Sequence, residues 1–118
     1  MNWTAVAALA LALAVMIGAF GAHGLRGRID PDSMAVYQTA VLYHFLHALG
    51  LFVVSVMPQR KGLTLVCWLL LAGIVLFSGS LYVLAITGIQ ILGAVTPLGG
   101  LCFIAAWLML AYSALRKN

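Results

Sequence analysis

The stretch WTAVAALALALAVMIGAFGA, Trp3 to Ala22, decides the fold: it runs for 20 residues without a charged side chain. At 1.5 Å per residue that is enough helix to cross a hydrocarbon core of roughly 30 Å. Three more apolar runs follow, from Val36 to Met57, from Leu63 to about Thr87, and from Pro97 to about Leu115. The charged side chains, 6 Lys and Arg with 2 Asp and Glu, fall almost entirely between these runs or at the end of the chain. With 65% hydrophobic residues, 7% charged residues and a mean hydropathy of +1.16, too little polar surface remains for a water-soluble domain. The reading is an all-α membrane protein, a bundle of four transmembrane helices forming one domain over residues 1–118, with helices at about 3–24, 31–57, 63–87 and 97–115.

The boundaries carry their own signals. Asp30 suits an N-cap, Pro31 the first helical position, and Asp32 the positive end of the helix dipole. Pro58 ends that second helix. Thr96 and Pro97 repeat the pattern as cap and opening residue of the fourth helix. Between the third and fourth helices lies GIQILGAV, Gly88 to Val95, a connection without charge. Irregular backbone facing lipid would leave hydrogen-bonding groups unsatisfied, so this segment is expected against the bundle or in the interface. A cleaved secretory signal would want Lys or Arg before the first run, and only Met1 and Asn2 precede Trp3, so that run reads as a retained helix.

Small residues recur along the first helix in two neighbouring rows. Ala5, Ala8, Ala12, Ala19 and Ala22 make one, and Ala7, Ala10, Ala14, Gly18 and Gly21 the other. Small side chains let helices approach closely. Ala8, Ala12, Gly18, Gly21 and Ala22 are therefore the expected helix-packing positions, serving a homo-oligomer or a larger membrane complex.

Basic residues set the orientation. Four spans put the termini and the second loop on one side, with Arg60, Lys61, Arg116 and Lys117, against Arg26 and Arg28 on the other. The basic excess predicts cytoplasmic termini. The partner implied throughout is the lipid bilayer. The net charge of +4 is that of ordinary membrane-protein flanks, and no basic stripe interleaved with aromatics suggests nucleic acid. Cys67 and Cys102 fall near opposite ends of their helices, too far apart for a disulfide, and no CxxC spacing suggests a metal.

Chemistry, if present, has few carriers. His44 and His47 stand three residues apart and share a helix face. Counted inward from the first-loop side, they fall in the outer half or near the middle, at the depth of Ser78, Ser80 and Tyr82. Tyr43 adjoins them, and His23 sits closer to the surface at the end of the first helix. These seven residues form the candidate polar network or ligand site. Four uses fit them. The first is helix packing through interhelical hydrogen bonds. The second is a lipid-soluble ligand, quinone-like or a lipid, in an outer-half polar pocket lined by His23, His47, Tyr43, Ser78 and Tyr82. A metal or haem site lacks a carboxylate or Cys at matching depth. Conduction or transport of protons or ions lacks the intramembrane acid such relays usually use. Ser78 and Ser80 carry no nucleophile-elbow motif, so no catalytic residue is assigned, and no cofactor is implied.

Four motifs in order, GAFGAHGL from Gly18, YQTAVLYHFLHAL from Tyr37, GIVLFSGSLYVL from Gly73 and TPLGG from Thr96, give a resemblance covering essentially all four helices. The chain resembles the small bacterial inner-membrane family called domain of unknown function 423, to which the eukaryotic transmembrane protein 256 group is similar. The resemblance implies a four-helix integral protein of the plasma membrane and brings no established activity. It also implies His23 and His47, the AHG and FHAL positions, as the stronger pair, with His44 at a site where relatives carry other polar residues.

Overall fold

The computed structural model describes residues 1–116; Lys117, counted above for orientation, lies outside them. Helix α1 spans Trp3–Leu25, α2 Pro31–Ser55, α3 Leu63–Thr87 and α4 Thr96–Leu115. No strand occurs among the described residues. All four helices are long and apolar enough to cross a membrane, and no more than 33% of the best window of any span is buried. Leu9, Met16, Val75 and Leu108 are each more than half exposed. Apolar exposure on this scale is tolerable only where the surrounding solvent is lipid.

The bundle is organised by seven-residue spacing. On α2 the buried residues are Tyr37, Ala40, His44, His47, Ala48, Leu51 and Val54. Tyr37, His44 and Leu51 step by seven, and Ala40, His47 and Val54 follow each by three, the two seam positions of a coiled-coil repeat. On α1, Ala7, Ala14 and Gly21 step by seven and are buried. On α4, Gly99, Ala106 and Ser113 do the same. Such seams keep one face toward the neighbours along the whole span.

Alanine and glycine on these seams set the helix separations. A side chain at Gly21 would occupy the space of the Tyr37 ring, and one at Gly73 that of Phe103. At Gly99 the obstacle is the backbone of Phe77, marking a close α3–α4 approach. The main core gathers Ala7, Leu51, Val54, Leu63, Val66, Leu70, Phe103 and Ala106 toward the termini, and a smaller cluster of Leu25, Tyr37 and Ala85 closes the first-loop end.

Two of the expected helix ends are corrected. Asp30 caps α2, its Oδ1 accepting from the Ser33 N–H at 2.6 Å, with Pro31 in the first turn. The helix stops at Ser55, two residues before the expected Met57, because Val56 and Met57 donate three residues back, to Val53 and Val54. That tighter turn ends the α-helical ladder ahead of Pro58. Thr96 does not cap α4: it is already helical, and its hydroxyl shares a 2.6 Å hydrogen bond with Ser80 on α3. Pro97 does occupy the opening turn. The uncharged connection folds into a 3-10 turn, Gln90–Ala94, with no buried residue and with Ile89 and Ile91 exposed, so it lies on the outside of the bundle.

Two π-helical turns interrupt the regular spans, Gly21–Leu25 at the end of α1 and Ile74–Ser78 inside α3. Each falls within a motif singled out above, GAHGL and IVLFS.

Candidate functional site

Helix α2 is stitched to α1 at three levels. Near the termini Thr4 donates to the Ser55 hydroxyl at 3.1 Å. In the middle His44 Nε2 donates to the Ala10 carbonyl at 2.9 Å. Toward the first loop the Tyr37 hydroxyl donates to the Ile17 carbonyl. Ala10 and Ile17 each stand three residues past a buried Ala of the α1 seam, where the close approach of the helices brings their carbonyls within reach. On the other side of α2, Ser78 in the π-turn of α3 donates to the Ala40 carbonyl at 2.8 Å.

His44 is the centre of this arrangement. It is 2% exposed, and its second ring nitrogen, Nδ1, lies 2.7 Å from the Tyr82 hydroxyl on α3. A carbonyl oxygen can only accept, so the Ala10 contact places the proton on Nε2. In the neutral ring Nδ1 then accepts, and Tyr82 is the donor. One imidazole thereby ties three helices. Along the chain Tyr82 stands about two turns past the level of His44, judged from the Ser78–Ala40 pairing of these antiparallel helices. The two side chains nevertheless meet, because each leans toward the N-terminus of its own helix. The Tyr37 ring packs against Tyr82 at 5.4 Å and completes the cluster.

His47, one turn on, faces a different neighbour. Its Nδ1 donates to the Tyr43 carbonyl at 2.8 Å, which makes it the opposite tautomer and leaves Nε2 an acceptor with no partner among the described residues. Its ring lies between Phe103 of α4, 3.5 Å away centre to centre, and Tyr43, 5.9 Å away, nearly parallel to both. Trp107 approaches at 5.7 Å. Gly50 permits this, since a side chain there would meet the Trp107 ring.

The other expected residues go elsewhere. His23 is exposed on the π-turn of α1. Because α1 and α2 run antiparallel with Ala10 level with His44, His47 falls near Ala7, and His23 is 16 residues further along α1, about 24 Å away. The structure therefore does not bring His23 and His47 together. Ser80 bonds to Phe77 and Thr96. Gly18 and Gly21 are spent on α2, facing Val41 and Tyr37, whereas Ala8, Ala12 and Ala22 point outward. Among the described residues no three His, Cys, Asp or Glu side chains group to hold a metal ion, and Cys67 and Cys102 are free thiols. Tyr37 was missed by the sequence reading; its seven-residue step to His44 was the signal available.

A cleft of about 370 Å³ opens between α1 and α2, lined by Gly18, Gly21, Val41, Leu42 and Phe45 with Gln38 toward the loop. It is largely apolar and borders the His44 cluster only at Tyr37, whose ring also lines it.

Residues 17–100 match a family model described as protein of unknown function, DUF423. The chain belongs to this family. Among DUF423 relatives, the UPF0382 membrane protein YwdK of Bacillus subtilis (strain 168) is 53% identical over 108 residues, covering 88% of each chain. The UPF0382 membrane protein SH2409 of Staphylococcus haemolyticus (strain JCSC1435) is 49% identical over 111 residues, covering 92% of this chain and 91% of its own. No solved structure matches. With relatives named as membrane proteins and four apolar helices in hand, this DUF423 chain is a multi-pass membrane protein.

Proposed function

We propose that the protein is a non-catalytic structural or interaction component of a bacterial plasma membrane, with both termini cytoplasmic. The observation that carries this reading is the use made of the intramembrane polar side chains. Tyr37, His44, Ser55, Ser78, Ser80 and Tyr82 all bond to groups on other helices of the same chain. Bonded this way they fix helix positions and are not free for a substrate. The face offered outward is the remaining small-residue row of α1, in which Ala8, Ala12 and Ala22 are exposed. A second copy or a helix of a larger complex can approach closely there.

The test is site-specific photo-crosslinking from Ala8 and Ala12 in living cells. A discrete protein adduct, either a dimer or one membrane partner, is the expected result, and Leu108 on the outward face of α4 serves as the control. Labelling of lipid alone, equal at all three positions, counts against the reading. A quinone-like molecule retained through gentle solubilisation and lost in His47→Ala would instead favour a ligand-binding role.

A further inference from the structure

We infer that the cavity formed by Arg60, Lys61, Ser113 and Arg116 is a binding site for the phosphate headgroup of an anionic membrane lipid. The cavity is about 220 Å³ and is lined by these four residues. Two segments distant in sequence converge on it: the loop leading into α3, and the last turn of α4. Among the described residues, three cations therefore share one small space. The chain's two acidic side chains, Asp30 and Asp32, stand at the other end of a molecule 53 Å long, so no carboxylate side chain is at hand to balance them. Like charges held together at a membrane surface are stabilised by an anion, and basic pockets between spans take lipid headgroups for this reason.

The geometry adds to the charge. Ser113 is 6% exposed, and its hydroxyl accepts from Arg60 Nε at 3.2 Å. With Nε–H engaged, the guanidinium is held in one orientation and its remaining four N–H groups are left to grip phosphate oxygens in the two-pronged manner that lysine cannot match. Arg116 lies over the Tyr112 ring, 5.4 Å from its centre, which anchors the second guanidinium. Ser113 sits in the last turn of α4, two residues before Leu115, so the cavity lies where a span meets the headgroups. An acyl-linked phosphate fits that depth.

Native mass spectrometry of the full chain, titrated with phosphatidylglycerol, phosphatidylcholine or inorganic phosphate, tests the site. Phosphatidylglycerol should be retained over phosphatidylcholine, and Arg60→Gln should lower its retention about tenfold, on the scale of a lost charge-assisted pair. Arg60→Lys, which keeps the charge without the fork, should fall between. Arg26→Gln removes the same charge from the opposite loop and should leave retention unchanged. Thermal melts of each variant separate lost binding from lost folding. Wild-type retention in a folded Arg60→Gln, an equal loss in Arg26→Gln, or displacement of the lipid by inorganic phosphate at equal concentration would each overturn the assignment.

Discussion

The Tyr82 hydroxyl donates to His44 Nδ1 at 2.7 Å across α3 and α2, and the same ring donates its Nε2–H to the Ala10 carbonyl on α1. Removing either end should loosen the bundle by different amounts. Tyr82→Phe deletes one interhelical bond and should cost about 1 kcal/mol. His44→Ala leaves a void and strands both the Tyr82 hydroxyl and a share of the Ala10 carbonyl, so about 2–4 kcal/mol is expected. The double variant should fall short of the sum, the mark of a shared contact. Unfolding in a defined lipid environment measures all three, and strict additivity would contradict the bond.

His44 and His47, three residues apart, should be neutral rings of opposite tautomer, protonated at Nε2 and Nδ1 respectively. Solid-state nitrogen NMR on histidine-labelled protein in bilayers reads this directly, and His44→Gln assigns the pair. Two identical tautomers would disprove the arrangement.

Glycine substitutions should divide sharply by position. Gly99→Ala meets the Phe77 backbone, which cannot turn aside, and should cost about 3 kcal/mol or more through forced separation of α3 and α4. Gly79→Ala has open space and a helical backbone, so it should be neutral or gain about 0.5–1 kcal/mol from helix propensity. Melting temperatures of the two variants check the contrast.

The Asp30 cap predicts a pH dependence outside the bilayer. The Ser33 backbone N–H, and then its hydroxyl, hold the Asp30 carboxyl below its ordinary value of 3.8. A depressed folded-state value means stabilisation that is fully present above the unfolded value and lost as pH falls through the folded one. The advantage of wild type over Asp30→Asn should thus be constant near neutrality and shrink below about pH 4. An advantage that grew on acidification would contradict the cap.

The spans were legible because lipid demands one thing of every residue in them, and the charge-free run from Trp3 states it openly. The Asp30–Pro31 opening was legible because capping is local. Thr96 was not, since its hydroxyl answers to Ser80 on another helix, and sequence spacing says nothing of that competitor. The same limit explains the histidines. Three residues along a helix turn the ring by about 60° from its neighbour, enough for His44 to face α1 and α3 while His47 faces α4. Motif order favoured His23 with His47; helix rotation and axial level, which no motif encodes, put His44 at the centre. The π-turns left no residue signature of their own beyond the glycines and serines beside them.

Because the His44 and Tyr82 side chains lean toward each other from antiparallel helices, their bond runs as a diagonal brace. Sliding α2 past α3 by even one residue, about 1.5 Å, would stretch it beyond hydrogen-bond length, whereas rocking the helices about that point would not. The brace therefore favours a single axial register of α2 against α3, and it opposes sliding of the two helices more than it opposes their tilting.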